Sequence, residues 1–210
     1  MLFRSTLVTE PLHYPGLISA ARLLGIRLLA ATMDDDGLLP QSLDELCRLH
    51  RVTALYCTPT LQNPTTSILP TERRQAIATI CREHNLLIIE DETHAVLLED
   101  RPAPLSHFVP ERSILIGGMS KVVAAGLRVG YLHAPVAVVS RLAAALRGSC
   151  WMATPLPLEL ATRWIDDGTA QILLQQQAAE IARRKALVTQ LLEGLNYRTH
   201  SRSPHFWIQV

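Results

Sequence analysis

Short apolar runs alternate with amphipathic stretches along most of this chain, and that alternation restricts its fold more than any other feature. Strand-like runs are predicted at residues 7–9, 26–31, 54–57, 86–89, 113–116 and 129–133. Apolar residues three and four positions apart predict helices at residues 16–24, 42–50 and 71–84, and Pro70 with Thr71 and Glu72 gives the third helix a start signal. This order is typical of βαβ units and predicts an α/β fold with a mainly parallel sheet.

The last third of the chain follows a different pattern. From Pro135 onward the sequence is helix-rich, and residues 169–195 predict one long helix that ends at Gly194. Residues 205–210 resemble a strand that has been cut short.

Three polar residues follow strand-like runs of the predicted sheet: Asn63, Asp91 and Lys121. In an open parallel sheet, ligands collect at the carboxyl ends of the strands, so these side chains are expected to meet there. Arg128 follows Lys121 by seven residues, after a turn of small residues. One amide, one carboxylate, one amine and one guanidinium therefore become candidates for a single site.

These four groups match the chemistry of pyridoxal phosphate. The Lys121 amine would form a Schiff base with its aldehyde, and the Asp91 carboxylate would keep its ring nitrogen protonated, so that the ring accepts electrons. The Arg128 guanidinium offers a planar fork of donors to a phosphate, and the Asn63 amide would donate to the phenolic oxygen.

Each residue also has a plainer interpretation. A lone lysine in a turn is usually solvated, Asn63 before Pro64 is a common turn signal, and Arg128 would serve equally well in an ion pair at the sheet edge. Asp91 could cap a turn, and its neighbours Glu90 and Glu92 compete with it for the same role. A nucleotide-binding P-loop is rejected because its glycine and lysine spacing is absent.

The ordered elements resemble the large domain of fold-type I, class I/II aminotransferases; they are Gln62-Asn63-Pro64-Thr65, Ile88-Ile89-Glu90-Asp91-Glu92, Ser120-Lys121 and Gly126-Leu127-Arg128-Val129-Gly130. The seven-residue gap from Lys121 to Arg128 and the run 70–74 are most similar to MocR-type regulators of the GntR family. The resemblance implies a three-layer α/β/α fold. It also implies a pyridoxal phosphate-binding large domain at residues 1–165, incomplete at its N-terminus, and a long helix with the start of a truncated small domain at residues 166–210.

Two positions depart from the family pattern. Where the family usually has a hydroxyl residue three positions before the lysine, this chain has Gly118, so Ser120 becomes the candidate hydroxyl for the phosphate. Where the family commonly has a tyrosine three positions after the aspartate, this chain has His94, whose imidazole could donate the same hydrogen bond to the cofactor. The family's glycine-rich phosphate loop and its substrate-carboxylate arginine are expected outside the chain.

The resemblance implies transfer of an amino group between an amino acid and a 2-oxo acid, with Lys121 as the attachment point and the general base. A second hypothesis is an effector-sensing domain of a MocR-type transcriptional regulator, which binds the cofactor with little or no turnover. A third is an inactive truncated product. Family members generally form homodimers, so a homodimer is expected.

Composition narrows the remaining possibilities. With 20 basic and 19 acidic residues, the net charge is only +1, which gives no overall attraction for nucleic acid or an anionic membrane. DNA binding would therefore need a winged helix-turn-helix that these residues do not contain. Four scattered cysteines indicate free thiols in a reducing compartment, and neither metal binding nor a membrane span is predicted. A cytoplasmic location is expected.

Overall fold

The computed structural model describes residues 5–209, and a six-stranded sheet forms its centre. The strands along the chain are β1 (Thr6–Thr9), β2 (Arg27–Ala30), β3 (Met33–Asp34), β4 (Gly37–Leu38), β5 (Val52–Cys57), β6 (Leu87–Asp91), β7 (Ser113–Gly118), β8 (Gly130–His133), β9 (Tyr197–Arg198) and β10 (Trp207–Ile208). The sheet order is β2-β1-β5-β6-β7-β8. All six strands of the predicted sheet are confirmed, with ends that differ by one or two residues.

The sheet is parallel except at one edge, where β8 runs antiparallel to β7. The chain moves outward from β1 to β2 and then returns to the other side of β1 to form β5. Such a reversal opens a crevice at the carboxyl ends of the strands, because the connections leave in opposite directions. The mainly parallel α/β fold is therefore confirmed, and a ligand is expected at the carboxyl ends of its strands.

Helices cover both faces of the sheet. They are α1 (Pro15–Leu23), α2 (Pro40–Leu49), α3 (Thr71–Glu83), α4 (Leu105–Phe108), α5 (Val136–Cys150), α6 (Pro155–Asp166) and α7 (Thr169–Leu191). Proline occupies the first turn of α1, α2 and α6, where its missing N–H costs no hydrogen bond. The three predicted helices and the helix-rich region after Pro135 are confirmed. No helix within the described residues is long and apolar enough to cross a membrane.

The C-terminal segment differs from its prediction in two ways. The long helix ends at Leu191, a few residues before Gly194, whose positive φ of 83° turns the chain away. The strand predicted at 205–210 is reduced to the two residues of β10, which pair with β9 in a separate hairpin. Val210, the end of that prediction, lies outside the described residues.

The main core lies between the sheet and the helices α2, α3 and α4. Val8, Leu55 and Ile88 project from three adjacent strands against Ile77 and Cys81 of α3, and all five are fully buried. Burying an aliphatic side chain of this size contributes about 1.5 to 3 kcal/mol. The alternate strand residues face α1 on the other side. This packing fixes the carboxyl ends of β5, β6 and β7 relative to one another.

A buried guanidinium ties β6 to the loop after β5. Arg74, fully buried in α3, donates to the carbonyl oxygens of Leu69 (2.8 Å) and Pro59 (2.8 Å). Its Nη1 also lies 3.9 Å from a carboxylate oxygen of Glu90 and 3.7 Å from one of Glu92. Because a buried charge needs such partners, Arg74 holds the end of β6 and the loop after β5 in one arrangement.

Candidate active site

A cavity of about 500 Å³ lies at the carboxyl ends of β5, β6 and β7. The side chains predicted from the sequence all line it; they are Asn63, Asp91, His94, Ser120, Lys121 and Arg128. Separate segments of the chain contribute them, and the sheet brings these segments together at one edge. The structure therefore places all six candidates around one space.

The Asp91 carboxylate, at the end of β6, is held by three hydrogen bonds. Its Oδ2 accepts from the Tyr56 hydroxyl at 2.8 Å, and its Oδ1 accepts from the backbone N–H (3.1 Å) and the hydroxyl (2.8 Å) of Thr93. Successive side chains of a strand point to opposite faces, so Glu90 and Glu92 project away from Asp91. Neither of them lines the cavity, because Glu90 accepts from two backbone N–H groups near α4 and Glu92 accepts from Thr60.

Lys121 is exposed and lies in a tight turn just after β7. The carbonyl oxygen of Met119 accepts from the N–H groups of Val123 (2.9 Å) and Ala124 (3.1 Å), which closes the turn. Met119 and Val122 are buried on either side of the lysine and anchor it. The turn therefore presents the amine to the cavity while its neighbours pack into the protein.

Arg128 adopts a left-handed backbone conformation, with φ of 53° and ψ of 30°. This conformation costs a non-glycine residue about 1 kcal/mol, and buried Leu127 next to it helps to hold the segment in place. The Arg128 Nη1 donates to the Ser120 hydroxyl at 3.4 Å. A guanidinium and a hydroxyl thus lie side by side, as an anion such as a phosphate group requires.

Asn63 is positioned by its neighbour Gln62, whose side chain is buried and fully engaged. The Gln62 Nε2 donates to the carbonyl oxygen of Leu12 (2.5 Å), and its Oε1 accepts from the N–H (2.8 Å) and the hydroxyl (2.7 Å) of Thr65. The Asn63–Pro64 peptide bond is cis. The amide of Asn63 therefore reaches the cavity from a loop whose shape is fixed by side-chain hydrogen bonds.

His94 is buried, and its ring packs edge to face on the ring of His205, with centroids 5.1 Å apart. Burial, together with nearby His205 and Lys121, lowers the pKa of His94 to about 4, although Asp91 acts in the opposite direction. His94 is therefore neutral at pH 7, with one ring nitrogen as a donor and the other as an acceptor. Its Nδ1 is buried and has no hydrogen-bond partner among the described residues.

Several cavity residues were missed by the sequence analysis. Tyr14, Thr58, Thr93 and His205 also line the cavity. Thr58 and Thr93 follow β5 and β6 closely, so position after a strand was a usable signal for both. His205 lies far along the chain in the C-terminal segment, and no local pattern links it to the sheet.

A buried acid lies beneath this site. Glu10, only 2% exposed, accepts a hydrogen bond from the N–H of Thr58 at 3.1 Å. Burial raises the pKa of Glu10 from 4.5 to about 8, because the charged form loses its hydration, and the nearby charge of Asp91 adds to the rise. The hydrogen bonds from Thr58 and Gln62 offset only part of that effect.

Comparison with known proteins gives a consistent picture. The sequence model of the family described as aminotransferase class I and II matches residues 4–205. The HTH-type transcriptional regulator YdeF of Bacillus subtilis is 32% identical over 181 residues, which cover 86% of this chain and 39% of that protein. The aromatic amino acid aminotransferase C1773.13 of Schizosaccharomyces pombe is 33% identical over 153 residues, covering 60% of this chain and 32% of that protein. The chain thus spans two fifths or less of the length of these two relatives.

Solved structures share the same fold. The alpha-aminoadipate aminotransferase LysN of Thermus thermophilus, solved with N-(5'-phosphopyridoxyl)-L-leucine, superposes with a TM-score of 0.86 and 24% identity. The superposition covers 99% of this chain and 56% of that one. The aminotransferase Aro8 of Candida albicans gives a TM-score of 0.74 with 26% identity, over 83% of this chain and 43% of that one.

Proposed function

Because the chain belongs to the class I and II aminotransferase family, we propose that it forms the cofactor-binding part of a transaminase that uses pyridoxal phosphate. The proposed reaction moves an amino group between an amino acid and a 2-oxo acid. One observation carries the proposal: an amine, a carboxylate, an amide, an imidazole, a hydroxyl and a guanidinium line a single cavity at the carboxyl ends of the strands.

The chemistry of these residues is complementary to the cofactor. Arg128 with Ser120 would hold the phosphate, Asp91 the ring nitrogen, and Asn63 with His94 the phenolic oxygen. The unpartnered buried Nδ1 of His94 supports this fit, since native proteins leave few buried polar atoms without a partner. The donors match both ends of the molecule.

When bound, pyridoxal phosphate supplies an aldehyde that reacts with amines and a ring that accepts the electron pair left when a Cα–H bond breaks. The protein's part is to orient and to move protons. Asp91, fixed by Tyr56 and Thr93, would keep a proton on the ring nitrogen, because a rigid carboxylate stabilises the protonated form. Lys121 would hold the aldehyde before the substrate arrives, and its freed amine would then take the proton from the substrate Cα.

A second candidate function is effector sensing in a MocR-type regulator. It is favoured by the similarity to YdeF, an HTH-type transcriptional regulator that this chain matches over 86% of its own length. Sensing requires the same binding residues but no turnover. The upstream reading frame separates the two proposals: a winged helix-turn-helix and a linker there would favour the regulator, and their absence would exclude it.

Further properties belong to the same proposal. We place residues 1–165 in the cofactor-binding domain and residues 166–210 at the start of a second domain.

A homodimer is proposed because family members generally form one. A cytoplasmic location is supported by the four cysteines, all of which are free thiols.

The attachment site can be tested directly because the sequence contains only two lysines, Lys121 and Lys185. Purified chain is incubated with pyridoxal phosphate, reduced with borohydride and analysed by peptide mass spectrometry. We expect the pyridoxyl group on Lys121, and we expect Lys121→Ala to abolish both the adduct and the visible absorbance. Lys185→Arg is the matched control and should retain both. An adduct on Lys185, or unchanged absorbance in Lys121→Ala, would remove Lys121 from its proposed role.

A further inference from the structure

His205 belongs to the C-terminal segment between β9 and β10, yet its side chain lines the same cavity as Lys121. Its ring lies 5.1 Å from that of His94, with an angle of 77° between the ring planes. Aromatic rings favour this edge-to-face arrangement because the positive edge of one ring meets the negative face of the other. The contact therefore joins the C-terminal segment to the loop after β6.

The backbone of His205 is held in place by its own segment. Its carbonyl oxygen accepts from the Thr199 hydroxyl at 2.6 Å, and its N–H donates to the Ser203 hydroxyl at 3.1 Å. Lys185 of α7 contacts Thr199 and lies 4.3 Å from the centre of the Phe206 ring. These contacts hold the backbone of His205, and with it the imidazole, in a defined position.

The ring nitrogens at this contact are unusual. The Nδ1 atoms of both His94 and His205 are buried, and neither has a hydrogen-bond partner among residues 5–209. Leaving such atoms unpaired opposes folding, so their presence together beside a cavity points to a role in the site.

The charges around the pair are consistent with two neutral rings. The charges of His205, Asp91 and Lys121 act on the pKa of His94, and those of Lys121 and Lys185 act on the pKa of His205. Burial is the main cause that lowers the pKa of each ring. A neutral imidazole has a single N–H donor, so the orientation of the ring decides which acceptor that N–H can reach.

We propose that His205 is a positioning residue: its edge-to-face contact fixes the ring of His94, so that His94 donates a hydrogen bond to an oxygen of the bound cofactor. The proposal rests on the proposed function, because the oxygen belongs to pyridoxal phosphate. It places the C-terminal segment among the elements that shape the cofactor site.

Two variants that both fill the space of His205 separate this role from simple packing. His205→Phe keeps an aromatic ring, and His205→Leu does not. The dissociation constant for pyridoxal phosphate is measured by absorbance titration of the 210-residue chain. We expect the leucine variant to bind about three- to tenfold more weakly, the value of one aromatic contact, and the phenylalanine variant to stay within about twofold of the original chain. His107→Ala is the control, since His107 makes a similar edge-to-face contact with Phe108 but lies outside the cavity.

A second measurement does not need the cofactor. The ¹⁵N resonances of the His94 ring report its tautomer in the chain alone. We expect one fixed tautomer in the original chain and the phenylalanine variant, and averaged shifts in the leucine variant. Equal behaviour of the leucine and phenylalanine variants in this measurement would overturn the positioning role. Failure of every form to bind pyridoxal phosphate would instead refute the proposed function, and the ring resonances would still decide whether His205 orders His94.

Discussion

Replacing the buried acid Glu10 by glutamine is expected to make the protein more stable at mildly alkaline pH while changing little at acidic pH. Glutamine has nearly the same shape, and its side-chain oxygen can still accept the hydrogen bond from the N–H of Thr58. The substitution removes the ionisable carboxyl group. The difference in the free energy of unfolding between the two proteins should therefore depend on pH.

The sign follows from the direction of the pKa shift. Burial raises the pKa of Glu10 from 4.5 to about 8 in the folded protein, so the folded state keeps a proton that the unfolded state releases. The contribution of protonated Glu10 to the free energy of unfolding is fully present below about pH 4.5, and it is lost as the pH rises through about 8. At 1.36 kcal/mol per pKa unit, the shift from 4.5 to about 8 corresponds to about 5 kcal/mol in full, of which about 3 to 4 kcal/mol is lost between about pH 5 and pH 8.

Urea unfolding followed by circular dichroism measures this effect across that pH range. The free energy of unfolding of Glu10→Gln, minus that of the original protein, should grow by about 3 to 4 kcal/mol from about pH 5 to pH 8. Exposed Glu193→Gln serves as the control and should give a constant difference. If the free energies of unfolding of Glu10→Gln and the original protein differed by the same amount at every pH, the burial argument for Glu10 would be refuted.

Two further substitutions test the framework around the cavity. Tyr56→Phe removes one of the three hydrogen bonds to Asp91, and since a bond to a charged group contributes about 1.5 to 3 kcal/mol, urea unfolding should show a loss near the lower value, as Thr93 still holds the carboxylate. An unchanged free energy of unfolding would show that this bond is not significant. Arg74→Met leaves two buried glutamates without their cation and should lower the free energy of unfolding by about 3 to 5 kcal/mol, which would appear as a large drop in the thermal midpoint. A thermal midpoint equal to that of the original protein would contradict the assigned role of Arg74.

Local sequence patterns were sufficient to predict most of the fold. Apolar runs located all six strands of the sheet, and they were most continuous in the central strands, which are covered by helices on both faces. The antiparallel direction of β8 could not be predicted in the same way, because the apolar pattern of a strand is the same whether it pairs in a parallel or an antiparallel manner. The short β10 was overestimated for a related reason: an apolar run indicates an extended segment but not the partner that makes it a strand.

The site residues also differ in how well the sequence predicts them. Residues just after strands could be predicted, because their distance from a strand fixes their place at the sheet edge. The residues alone left Asp91, Glu90 and Glu92 open, and the family resemblance selected Asp91. The structure agrees with that choice, because Asp91 is bound on the cavity side while Glu90 and Glu92 are bound elsewhere. The contribution of His205 depended on tertiary packing alone, because its approach to His94 is set by α7 and the final hairpin.

The antiparallel pairing of β7 with β8 has a consequence for how this protein can vary. Gly118 pairs with Gly130, so the chain leaves the sheet and returns to it at the same point, and both Lys121 and Arg128 lie within that closed excursion. The separation of their two positive charges is therefore set by the length of a single loop. Insertions or deletions between them would displace both charges at once, whereas side-chain exchanges at the tip, where Gly126 has open space beside it, would leave the spacing intact.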